Sequence, residues 1–156
     1  MQQLAKNTLR GLLATFSAFV LTACGQNGVT IHSADDYPDR LSDWSLISLA
    51  GTKLIISDQT LVYELNTALF SDYALKLRTL YLPEGAQAKF DATQTFELPV
   101  GSVISKTFLY PKDSSGALLT SSSWNGDPST ITMNNYELIE TRLMVRQATG
   151  WDALPY

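Results

Sequence analysis

The chain has one cysteine and one histidine, so few kinds of side-chain chemistry are open to it. Cys24 stands in Leu21-Thr22-Ala23-Cys24: an aliphatic residue, two small residues, then a thiol. That order is the bacterial lipobox. The thiol forms a thioether with a diacylglyceryl group, and the small residues let the extended chain enter the peptidase that cuts before the cysteine. Upstream, Lys6 and Arg10 precede an apolar run from Gly11 to Leu21, the layout of a secretory signal peptide. The run is well short of the ~20 residues of a membrane-spanning helix. The reading is a signal peptide over 1–23, lipidation at Cys24, and a lipidated tether over 24–39. Two or more acyl chains hold a protein firmly to a bilayer. Gly25, rather than aspartate, follows the cysteine and points to the outer membrane, facing the periplasm. An ordinary secreted protein with a chance cysteine is the alternative.

The remaining chemistry is thin. His32 lies in the polar stretch QNGVTIHSADDYPD and is read as structural. Ser42-Asp43 and Ser71-Asp72 set hydroxyls beside acids, but a serine triad needs a histidine base that the domain does not supply. Glu64, Asp72, Glu84, Glu97, Glu137 and Glu140 are scattered. A hydrolase or lyase would need two of them facing each other across a cleft, and spacing alone pairs none. HExxH, clustered Cys/His, EF-hand spacing and glycine-rich phosphate loops are all missing from the sequence. No catalytic residue, metal ligand or cofactor site is therefore assigned to this chain.

Removing 1–23 leaves nine basic residues against fifteen acidic, a formal charge of −6. Non-specific nucleic-acid binding needs the opposite sign, so no nucleic-acid partner is expected. With no cysteine beyond the anchor, the domain must be held by packing alone.

The elements that would position any site read as β. LKLRTLYLP alternates, with Leu75, Leu77, Thr79 and Tyr81 on one face and Lys76, Arg78, Leu80 and Leu82 on the other. VISKTFLYP is a strand rich in β-branched and aromatic residues. YELIETRLMVRQ alternates Leu138, Glu140, Arg142 and Met144 with Ile139, Thr141, Leu143 and Val145. Shorter strands are expected either side of Ser57-Asp58-Gln59, in AQAKFD, in QTFEL and in WDALPY, and a helical turn capped by Ser42 over Trp44, Leu46 and Ile47. Residues 112–135 read as a long loop turning at Asn125-Gly126-Asp127-Pro128. Trp124 in that loop is either an exposed contact or an anchor folded onto the sheet. The fold class is mainly β, a compact antiparallel sandwich or barrel-like domain over 40–156. Trp151, Leu154 and Tyr156 look like core at the end of the chain, so the domain is expected to be truncated there.

Four blocks carry a resemblance: RLSDWSLI, YELNTALFSDYALKLRTLYLPEG, FELPVGSVISKTFLYP and LIETRLMVRQATGWDALPY. In this order they resemble the N-terminal β-rich region of a bacterial family of secreted diheme c-type cytochromes of uncertain role. What matches residue by residue is structural: Asn66, Phe70, Ser71, Asp72, Lys76 and Arg78; Pro99, Gly101 and Lys106; Glu140, Thr141, Arg142, Gly150, Trp151, Pro155 and Tyr156. Covalent heme attachment needs CxxCH, and Cys24 is followed by Gly25-Gln26-Asn27-Gly28. The resemblance thus implies heme c only on a segment or partner outside this chain. It also implies that Asp72, Lys76, Arg78, Lys106, Glu140 and Arg142 form a bracing network or a docking surface. The expected function is a lipid-anchored, non-catalytic β domain associated with c-type cytochrome electron transfer in the cell envelope. The alternatives are a stand-alone envelope lipoprotein that binds a ligand or envelope component, and a hydrolase or lyase.

Overall fold

A computed structural model describes residues 28–67, 69–120 and 124–156. The signal peptide and Cys24 lie outside these residues. Among the described residues seven strands make two antiparallel sheets. Strands β1 (Ile47–Ala50) and β2 (Lys53–Ile56) form a hairpin. Strands β3 (Thr60–Val62), β4 (Leu75–Tyr81), β5 (Val103–Pro111), β6 (Tyr136–Gln147) and β7 (Gly150–Pro155) form an open sheet in that order. Neither sheet closes into a barrel. Among the described residues no helix is long and apolar enough to cross a membrane.

Period-two alternation builds the core. Leu75, Leu77 and Thr79 of β4, Val103, Ser105, Thr107 and Leu109 of β5, and Thr141, Leu143 and Val145 of β6 are buried on one face. The hairpin contributes Ile47 and Leu54, the preceding segment Trp44 and Leu46, and the long loop Ile131. Each large apolar side chain so covered contributes about 1.5–3 kcal/mol. Inside the core, Thr79 bonds Ser105 at 2.6 Å and Thr107 bonds Thr141 at 2.8 Å, so the buried hydroxyls satisfy one another. Pro155 closes β7 at the sheet edge, where a missing N–H costs no ladder bond.

Several expectations change. The strands either side of Asp58 exist but belong to different sheets. AQAKFD and QTFEL form no strands; an isolated bridge, Lys89 to Glu97, ties the arm between β4 and β5. The helical turn is a 3-10 turn, Leu41–Trp44, that ends before Leu46. Ser42 does not cap it; its hydroxyl donates to the Asp43 carboxylate at 3.3 Å.

The stretch read as tether is packed from Val29 onward. The Thr30 N–H donates to the Trp44 carbonyl at 3.0 Å. Tyr37 stacks on Trp44 at 5.8 Å and its hydroxyl donates to Asp152 at 2.7 Å. The reason is Trp44, fully buried, which needs aromatic cover and an acceptor; the hydroxyl of Tyr156 supplies the acceptor at 2.8 Å.

Strand β6 departs from simple alternation. Phe108 pairs with Glu140 and Leu109 with Leu138, so Ile139 is an extra residue in a bulge. The bulge turns Leu138 in against the core and leaves Ile139 54% exposed. Leu138 therefore does not share a face with Arg142 and Met144.

Candidate functional site

The outer face of the large sheet gathers most of the residues singled out from sequence. Alternation places Lys76, Arg78, Lys106 and Arg142 there, and the register sets Arg78 opposite Lys106 and Lys106 opposite Arg142. Three cations thus form one rung across β4, β5 and β6. Like charges directly opposite one another destabilise a sheet. One carboxylate answers them: Arg142 Nε donates to Glu140 Oε1 at 2.8 Å. That bond, with the charges of Arg142 and Lys106, holds the Glu140 carboxyl below its ordinary range, and Glu140 raises the guanidinium in turn. Phe108 sits between the cations, with Lys106 Nζ 5.0 Å and Arg142 Cζ 5.1 Å from its ring centre. Such contacts contribute about 0.5–1 kcal/mol each at exposed sites.

Lys76, one step along β4, donates from Nζ to the Leu69 carbonyl at 2.6 Å. Burial lowers its pKa from the ordinary 10.5, and the charges of Arg78 and Lys106 lower it further. Arg78 is only 9% exposed. The described residues include all fifteen Asp and Glu side chains, and none of them forms an ion pair with Arg78. A buried charge with no ion-pair partner has nothing of opposite sign to offset its desolvation.

Beside Arg78 is a cavity of about 170 Å³, bordered by Glu64, Leu65, Leu75, Lys76 and Trp124. It lies where β3 has run out along β4: the Tyr63 N–H bonds the Arg78 carbonyl at 3.2 Å and the chain then leaves the sheet. Trp124 is half-buried and packs on the core cluster, the arrangement of a loop anchor. Its indole N–H is buried with no acceptor among the described residues. The loop is shaped by Asp127, which accepts the Ser129 N–H at 2.8 Å and opens the 3-10 turn Pro128–Thr130.

Asp72 stands apart from this group. It occupies a left-handed turn position, φ 46°, where its carbonyl accepts the Tyr110 hydroxyl at 2.7 Å, and its carboxylate joins no ion pair. His32 lies edge-on to Trp44 at 4.9 Å, a packing role. Of the scattered acids, Glu97 pairs with Lys89 at 3.4 Å and Glu137 with Lys112 at 3.0 Å. Among the described residues no group of three or more His, Cys, Asp or Glu is placed to hold a metal ion.

Sequence reasoning counted Glu64 only among the scattered acids and missed the cavity that it borders, because that depends on where β3 stops. It also missed Arg146, whose guanidinium lies over Trp151 at 5.9 Å and donates to the carbonyls of Gln147 and Gly150 at 2.7 and 2.9 Å. Its place after Glu140, Arg142 and Met144 in the alternation was the available signal. Arg146 and Trp151 border a second cleft of about 360 Å³ under the Lys89–Leu98 arm.

No protein-family model, curated protein or solved structure matches this chain.

Proposed function

We propose that this chain is a lipid-anchored, non-catalytic β domain of the bacterial cell envelope that docks an acidic partner surface on its outer sheet face. In this reading it serves c-type cytochrome electron transfer, with the hemes carried outside the chain. The observation that carries it is the rung Arg78–Lys106–Arg142, three aligned cations met by one carboxylate in a protein of net negative charge, with Lys106 and Arg142 the members that reach the surface. The arrangement costs stability in the isolated domain, and an acidic surface laid across it removes that cost.

The test isolates the protein from native membranes and measures covalently bound heme that comes with it. Heme should accompany the wild type and fall away at high salt. Lys106→Glu with Arg142→Glu should lose it while melting remains cooperative. Wild-type isolates without heme would sink the cytochrome reading. Fatty-acid labelling, lost in Cys24→Ala, tests the anchor.

A second reading, an envelope lipoprotein that binds a small ligand, is favoured by the cavity at Arg78 and Trp124.

A further inference from the structure

We infer that the cavity between Lys76, Arg78, Glu64 and Trp124 binds a small organic carboxylate that also carries a hydroxyl group. This rests on the second reading above and names its ligand. Arg78 borders the cavity, is nine-tenths buried, and has no ion-pair partner among side chains that include every Asp and Glu of the chain. A guanidinium is a planar donor fork that fits a carboxylate with two parallel bonds. Lys76 adds a second positive charge on the same border. Trp124 closes another side of the cavity, and its buried indole N–H, which can only donate, has no acceptor among the described residues.

The remaining group sets the class of ligand. Glu64 also borders the cavity and forms no ion pair among the described residues. Glu64 offsets one of the two cations, so the lining carries a single net positive charge, which a singly charged acid neutralises and a doubly charged phosphate overshoots. It also accepts a hydrogen bond, so it matches a hydroxyl on the ligand. The volume, about 170 Å³, is below the ~300–1,000 Å³ of pockets for drug-sized molecules and suits a ligand of a few heavy atoms. Desolvation and the neighbouring cations depress the pKa of Lys76, the behaviour of a cation set that lacks its counter-charge.

Calorimetric titration of the full chain with lactate, acetate and inorganic phosphate at fixed ionic strength tests this. Lactate should bind saturably, acetate more weakly and phosphate weakest. Arg78→Met should weaken lactate by about tenfold or more. Glu64→Ala should erase the preference for lactate over acetate. Trp124→Phe keeps an aromatic ring at the cavity wall, removes the N–H, and should weaken lactate severalfold; it decides the matter if Arg78→Met does not fold. Lactate binding that never saturates, phosphate binding more tightly than lactate, or affinity unchanged in both Arg78→Met and Trp124→Phe would overturn the inference. Saturable lactate binding without heme in native isolates defeats the docking proposal alone. Heme in those isolates without lactate binding defeats this inference alone.

Discussion

Arg78 is the residue at which stability and function pull apart. A buried cation kept for structure should be missed when removed; one kept for a ligand should not. Replacing buried charged groups by apolar residues of like volume is often neutral or stabilising by about 1–4 kcal/mol. Arg78→Met is therefore expected to hold or raise the urea midpoint while it loses anion binding. A lower midpoint would assign Arg78 a structural bond. Lys76 gives the matching pH effect. Its folded-state pKa lies below the unfolded 10.5, so its ammonium penalises the folded state fully at pH values below that lowered pKa. As pH rises through it toward 10.5, the folded state sheds a proton that the unfolded state keeps, and stability rises. Burial raises Tyr37 and Tyr63 above 10.0 and works the other way in the same range. The effect is thus read as a difference: wild type should gain on Lys76→Met as pH climbs toward 10.5, and bound carboxylate should shrink that gain.

Among the elements, β4, β5 and β6 do two jobs through one alternation. Their inner residues pack a core that holds paired hydroxyls, and their outer residues align the cations. The hydroxyl pairs make the inner side sensitive to halves rather than wholes. Thr79→Val leaves the buried Ser105 hydroxyl without its partner and should cost about 1–3 kcal/mol in chemical denaturation. Adding Ser105→Ala should recover much of that loss, because both polar groups are then gone. Additive losses would show that the pair is not bonded. The bulge at Ile139 belongs to this scale too. It places Glu140 against Arg142 while keeping Leu138 in the core, which an unbroken strand does not do.

For the whole molecule, the governing feature is the segment from Val29 to Trp44 that closes the core over the end of β7. Trp44, Tyr37, Asp152 and Tyr156 join residues more than a hundred positions apart. Trp44→Ala should cost about 3–5 kcal/mol, and melting followed by circular dichroism should show a drop large beside a typical domain stability of about 5–15 kcal/mol. A small drop would mean that the segment rests on the domain without supporting it. The same packing takes the residues from Val29 onward out of the proposed tether. From Cys24 to Gly28 the chain reaches at most about 14 Å when extended, so an acylated Cys24 would hold the strapped layer near the bilayer and leave the outer sheet face to partners.

Much of this was legible in the residues. The strands Leu75–Tyr81, Val103–Pro111 and Tyr136–Gln147 follow from alternation and β-branched content, because a half-buried strand repeats every two residues wherever it lies. The same alternation grouped Lys76 with Arg78, and Glu140 with Arg142. Three things were decided only in space. Register set Arg78, Lys106 and Arg142 in one rung, since strand pairing joins residues dozens of positions apart and a one-residue slip would scatter them. The packing of Val29–Trp44 depended on a tryptophan finding Tyr37 and Tyr156, and a polar stretch carries no periodicity to announce that. The cavity at Arg78 exists because β3 ends before β4 does, leaving a space that belongs to no segment of the sequence by itself.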